Sequence, residues 1–191
     1  MIDVILRVPD ETILENRTAL KKAVAALFGD RHDGERSNYL FSPEPLLDAG
    51  PWVRVRVVDG IVPSSATPFV SVLDCPVPVA GDKVIATAWV ALKSKVMVGA
   101  GSAAPRIAAR LDRARSLFEN AIEIEDYEVG ERYEIARIER GRERFARAFN
   151  RVRVTGRIKD AEAAQTLLST GIGASKAYGF GLVDMQIERG E

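Results

Sequence analysis

Trp52-Val-Arg-Val-Arg-Val-Val58 is the stretch on which the fold turns. Valine and arginine alternate there, so an extended chain would carry one apolar face and one cationic face, the period-two signature of a strand. Pro43, Pro45 and Gly50 mark a turn before it, and Tyr39-Leu-Phe41 reads as a short strand on the far side of that turn. Further back, Ile13, Leu14, Leu20, Val24, Leu27 and Phe28 fall largely on one face of a helix over 12–28, with Arg17, Lys21 and Lys22 among its polar positions. Gly29 ends that helix as a C-cap. Residues 2–8, Ile-Asp-Val-Ile-Leu-Arg-Val, alternate loosely as a strand that Pro9 stops. Strand, helix, strand, strand opens a ferredoxin-like unit.

Residues 60–80, rich in proline and serine, read as a connection between two halves. Gly81-Asp82 then leads into an apolar strand over 83–92. Pro105 opens a helix over about 106–119 that carries Ile107, Leu111, Leu117 and Phe118. Strands and hairpins fill 121–158, Asp160 caps a helix reaching about Thr170, and Gly181–Ile187 is a last strand. The expected class is α+β, two ferredoxin-like (RRM-like) domains in tandem, over 1–75 and 81–191.

Of the 191 residues, 47% are hydrophobic and 28% charged, an ordinary globular composition. The sequence has no run of membrane-spanning length and no secretion signal at Met1-Ile-Asp-Val-Ile-Leu-Arg, so a cytoplasmic location is expected. One cysteine, Cys75, forms no internal disulfide, and one histidine beside it leaves no soft-ligand cluster for zinc. No metal or other cofactor is expected. The net charge of zero hides an asymmetry. Residues 119–134 carry Glu119, Glu123, Glu125, Asp126, Glu128, Glu131 and Glu134 against Arg132. Residues 137–159 carry Arg137, Arg140, Arg142, Arg144, Arg147, Arg151, Arg153, Arg157 and Lys159 against Glu139 and Glu143. Such a basic run suits a polyanion, and arginine suits bidentate phosphate contacts. A solvated face neutralised by its acidic neighbour is the competing reading.

The glycine-rich stretch Gly171-Ile-Gly-Ala-Ser-Lys-Ala-Tyr-Gly-Phe-Gly181 can bring backbone N–H groups close to a phosphate. It follows a helix and opens a strand, the reverse of a dinucleotide-binding loop, and it lacks a P-loop's Gly-Lys-Ser/Thr ending. A tight helix-to-strand path would need the same glycines.

This loop, with Leu182 after it, resembles the signature of the CRISPR-associated repeat endoribonucleases, and most of all the CasE type. Val154-Thr-Gly-Arg-Ile158 and the helix Ala161–Ser169 match the family's approach to that loop. Leu27-Phe28-Gly-Asp, the charged loop after it, Tyr39-Leu-Phe41 and Pro63 match its N-terminal part. The resemblance implies tandem ferredoxin-like domains and a protein that binds a CRISPR repeat stem-loop. It also implies metal-independent cleavage by attack of the RNA's own 2′-hydroxyl, followed by retention in an effector complex with other subunits. A divergent type I-E protein and the processing enzyme of a minimal type IV system both fit. The family's first helix commonly carries a histidine where this chain has Lys21, and often a tyrosine where it has Thr18.

Three chemical readings follow from that departure. His32, the lone histidine, folds back into the site as acid or base. Alternatively Arg17, Lys21 and Arg36, helped by Tyr39, bind the scissile phosphate and stabilise its added charge. In the third, chemistry is lost and the protein is a non-catalytic RNA-binding subunit. For RNA binding, Arg142, Arg144, Arg147, Arg151 and Arg153 would grip stem phosphates. Gly171, Gly173, Gly179 and Lys176 would hold backbone near the cut, and Tyr178 would stack on a base. Phe180 is assigned equally to stacking and to the core. The helix arginines Arg106, Arg110, Arg113 and Arg115 are read as an exposed face balanced by Asp112 and Glu119.

Overall fold

The computed structural model describes residues 1–7, 16–27, 39–44, 52–58, 69–92, 104–131, 134–140, 143–173 and 176–189. The first sheet holds β1 (Ile2–Arg7), β2 (Tyr39–Glu44), β3 (Trp52–Val57) and β4 (Phe69–Asp74), in the order β2-β3-β1-β4. All three pairings are antiparallel. Helix α1 (Arg17–Leu27) follows β1. This is the strand order of a ferredoxin-like unit, as the sequence led us to expect. Of the helix expected over 12–28, residues 17–27 form α1, which Asn16 caps: its Oδ1 accepts from Thr18 N at 3.1 Å and Ala19 N at 3.2 Å. Residues 12–15 and Phe28 lie outside the described residues. Two local expectations change. Pro43, read as a turn residue, lies in β2, an edge strand, where a missing N–H is tolerated. Residues 69–74, read as part of a connection, pair with β1 as an edge strand.

The second sheet repeats the plan. β5 (Lys83–Leu92), β6 (Ile122–Val129), β8 (Glu143–Ile158) and β9 (Val183–Glu188) take the order β6-β8-β5-β9. Helices α2 (Ala104–Ala121) and α3 (Ala161–Thr170) provide the crossovers. The addition is β7 (Glu134–Arg140), which pairs with the first half of β8 while β6 pairs with the second half. Asp160 caps α3 as expected, its Oδ1 accepting from Ala163 N at 3.0 Å. The fold is α+β, tandem ferredoxin-like.

The two sheets bury their faces differently. On the first, Val4, Leu6, Phe41, Val53, Val55 and Val57 pack under Leu20 and Val24 of α1. Its opposite face carries Asp3, Arg54 and Arg56, and these too are buried, because that face meets the second half. Arg56 donates to both carboxylate oxygens of Asp3 at 2.7 Å and to the carbonyls of Leu168 and Val183. Arg54 reaches Asp184. On the second sheet, Val84, Ala86, Ala88, Val152, Val154 and Val183 lie beneath α2 and α3. Its other face is divided: Ala91, Ile138, Phe149 and Phe180 form a buried cluster beside Arg17 of α1, while Arg151, Arg153 and Arg157 are exposed on β8.

Candidate functional site

The start of α1, the start of β2 and the turn Lys176–Tyr178 of the glycine-rich loop meet at one place. Arg17, the first residue of α1, is 5% exposed. Its guanidinium lies 5.1 Å from the Phe180 ring centroid and 5.4 Å from that of Phe149. One turn along the same helix face, Lys21 is exposed and its Nζ stands 5.6 Å from the Tyr178 ring centroid. Cation–aromatic contacts of this kind help to hold a positive charge in place. Tyr39 is half-buried and its ring centroid is 6.3 Å from that of Phe41. Phe41 in turn lies against Gly179. Arg17, Lys21 and Tyr39, expected as catalytic residues, are thus grouped with Tyr178 and Gly179, expected to bind RNA. His32, Arg36 and Arg142 lie outside the described residues.

The glycine-rich loop is built around its own hydrogen bonds. Ile172 N donates to Gly181 O at 2.8 Å, Gly181 N to Trp89 O at 2.7 Å and Gly171 N to Leu167 O at 2.9 Å. Gly179 N donates to Lys176 O at 3.1 Å. The expectation that the amides of Gly171 and Gly179 hold a phosphate therefore changes: both donate inward, and both residues are buried. These glycines give room instead. At Gly179, φ is +77° and an added Cβ would lie 2.8 Å from the Phe41 ring. Gly173 is the exposed glycine of the loop. Lys176 donates to Thr170 O, the last carbonyl of α3, at 2.5 Å, and burial pushes its pKa below the ordinary lysine value. One of its three donors is thereby used to fasten the loop.

The basic run has two fates. On β8, Arg151 and Arg153 point from the same exposed face, as alternation requires. The acidic run folds beside them: Glu128 pairs with Arg153 at 3.6 Å and Glu125 with Arg157 at 3.8 Å. The phosphate-gripping and self-neutralising readings thus meet on one surface. Among the described residues no ion pair holds Arg151, which faces Trp89 across the β5–β8 ladder. Arg147 is half-buried on β8, and the backbone of Arg144 stands opposite that of Glu139 in the β7–β8 register. On α2, Arg113 and Arg115 are exposed, and Arg115 pairs with Glu119 at 2.9 Å.

Sequence reasoning missed Arg54 and Arg56. Their alternation with valine signals a cationic face, but nothing local says that a second sheet will cover it. It missed Trp89 too, inside an apolar strand whose open face only the sheet order defines.

The comparisons with known proteins agree with this architecture. A family model described as CRISPR associated protein matches residues 100–188. The structure of a CRISPR endoribonuclease, Cse3, bound to 19 nt RNA superposes with a TM-score of 0.68 at 16% identity, over 97% of this chain and 98% of that one. The CRISPR-associated protein Cas6e from Escherichia coli K-12 gives 0.66 at 16% identity over the same shares. A chain of a CRISPR RNA-guided surveillance complex gives 0.59 at 16% identity, covering 98% of this chain and 99% of that one. A search of curated protein sequences finds no match. The family model covers the second half of the chain, and the superpositions show a shared fold, tandem ferredoxin-like architecture similar to that of Cse3 and Cas6e.

Proposed function

We propose that the protein is a metal-independent endoribonuclease that binds CRISPR repeat stem-loops and cleaves precursor CRISPR RNA. The observation that carries this reading is the meeting of Arg17 and Lys21 with Tyr178 and Gly179 at the α1–glycine loop junction. The 2′-oxygen loses its proton and bonds to the adjacent phosphorus, and the phosphorane-like transition state gains negative charge. The bond to the 5′-oxygen breaks as that oxygen takes up a proton, leaving a 2′,3′-cyclic phosphate and a 5′-hydroxyl. Arg17 is a fixed cation and cannot act as base, so its role is to stabilise that charge. Lys21 supplies a second, exposed cation to the same phosphate. Tyr178 offers a ring for a flanking base, and Arg147 and Arg153 hold the stem by its phosphates. His32 is the candidate proton carrier of the alternative chemistry. The protein then stays on its product as a subunit of an effector complex.

One observation favours a second reading, a non-catalytic RNA-binding subunit: the helix Arg17–Leu27 holds no histidine and Arg17 is almost wholly enclosed. A single experiment separates the two. Repeat stem-loop RNA is incubated with the protein in EDTA, beside RNA with a 2′-deoxy sugar before the scissile phosphate. Cleavage of the first and resistance of the second is expected. Arg17→Ala should slow cleavage by about a hundredfold, the usual cost of removing one transition-state cation or donor. Lys21→Ala and His32→Ala decide between the cationic and histidine chemistries. Tight binding with no cleavage would leave the RNA-holding subunit.

A further inference from the structure

A cleft of about 140 Å³ opens between the two sheets, lined by Ser42, Arg54, Trp89, Arg151, Asp184 and Gln186 among others. At ~30 Å³ per water it has the room of about five waters. That suits one flat ring system and is far too little for a duplex. Trp89 and Arg151 face each other in register on β5 and β8, the two central strands of the second sheet. Phe149 holds Trp89 edge-on, with centroids 5.3 Å apart and planes at 75°, so the indole is braced before any ligand arrives. Asp184 would repel a phosphate, but Arg54 neutralises it from the first sheet. Arg151 remains as the cation and Gln186 as an exposed amide with both donor and acceptor atoms.

We propose that this cleft binds one unpaired nucleotide flanking the RNA stem, its base stacked on Trp89 and its phosphate held by Arg151. The inference rests on the RNA-binding reading above and adds a site for a single-stranded segment. RRM-type sheets stack bases on an aromatic of a central strand, and Trp89 is a half-buried aromatic on the central strand β5 of this sheet. The Watson–Crick edge of the base meets Gln186 and Ser42. The cleft communicates with the cation site through one ring: Phe149 touches Trp89 on one side and Arg17 on the other. A nucleotide seated here is therefore a near neighbour of the phosphate at Arg17. A peptide is the less suitable occupant, because Arg54, Arg151, Asp184 and Gln186 interrupt the apolar part of the lining.

The test compares a blunt repeat stem-loop with the same stem-loop carrying a short single-stranded flank, by fluorescence anisotropy. The flank should tighten binding by about tenfold, the scale of one base–aromatic stack. Trp89→Ala should erase that increment. Gln186→Ala, at an exposed position that does not threaten folding, should reduce it by about threefold, as loss of one hydrogen bond does. In a Trp52→Phe background, the flanked RNA should quench Trp89 fluorescence while the blunt RNA does not. An equal flank increment in wild type and both variants, without quenching, overturns the proposal while leaving stem-loop binding intact. Quenching by another effector subunit and by neither RNA overturns it in favour of protein docking. Failure of the blunt stem-loop itself to bind overturns the RNA-binding reading instead.

Discussion

Arg54 and Arg56 occupy alternate positions of β3, and Arg151 and Arg153 occupy alternate positions of β8, yet the first pair is buried and the second exposed. β3 and β8 are equivalent strands of two sheets with the same order. The local pattern, apolar residue and arginine in alternation, is the same in both. What differs is the partner of the cationic face. The first sheet presses that face against the second half, where Asp3, Asp184 and backbone carbonyls receive the guanidinium groups. The second leaves the β8 arginine part of its face open, where glutamates of β6 meet Arg153 and Arg157 at longer range. A buried arginine here joins the halves, and an exposed one is available to a phosphate.

The largest effect that would break this contrast is at Arg56. Burial opposes its charge, but hydrogen bonds to Asp3 and the carboxylate's attraction outweigh burial, and its pKa ends above the ordinary value. Arg56→Met leaves Asp3 buried without its cation. Urea unfolding should show a loss of about 3–5 kcal/mol, of which adding Asp3→Asn restores part. A loss under ~1 kcal/mol would put Arg56 in the same energetic class as the exposed set. Next comes Gly179→Ala, which places a Cβ against Phe41 at φ +77°. Thermal unfolding should report a loss of about 1–2 kcal/mol, and RNA cleavage should fall with it as Tyr178 is displaced from Lys21.

Cys75 gives a pH-dependent test of the same junction. Its Sγ lies 3.1 Å from Asp3 Oδ1. Burial and, against the pull of Arg56, the Asp3 carboxylate push the thiol from 9.0 up to about 11. A thiol with a raised folded-state pKa contributes stability that is present below 9.0 and lost as pH rises toward 11. Chemical unfolding at a series of pH values should therefore show a fall of up to ~1.4 kcal/mol per pH unit within that window. Cys75→Ala should flatten it. The smallest effect belongs to the exposed set. Arg153→Ala should change stability by less than ~0.5 kcal/mol. It should lower the salt slope of RNA binding by about one, and Arg151→Ala should do so at least as strongly, since no carboxylate among the described residues pairs with it. An unchanged slope in both variants would remove β8 from the RNA surface.

The loop residues divide along similar lines. Lys176 and the amides of Gly171 and Gly179 looked like anion ligands because glycine and lysine together suit phosphate. The amides of Gly171 and Gly179 and one of the three Lys176 donors close the path from α3 to β9. Arg17 and Lys21 looked like part of a polar helix face. Arg17 is enclosed because β8 and the loop bring Phe149 and Phe180 over it from more than a hundred residues away in sequence. Helical periodicity assigns a residue to a face and says nothing of what will cover that face.

The sequence by itself determined most of the elements and the fold class, though not the edge strand β4 or the added β7. Valine–arginine alternation, the apolar stripe of α1, the Asp160 cap and the glycine-rich turn are local codes, each read within a turn of helix or a few residues of strand. Two ferredoxin-like units follow from their order alone. Only the tertiary structure decided which cationic face is buried, which glycine amides turn inward, that acidic β6 lies beside basic β8, and that Trp89 and Arg151 share a cleft with Ser42. Those outcomes depend on how one sheet packs against another, and that packing joins residues whose separation in the chain leaves no periodic trace in the sequence.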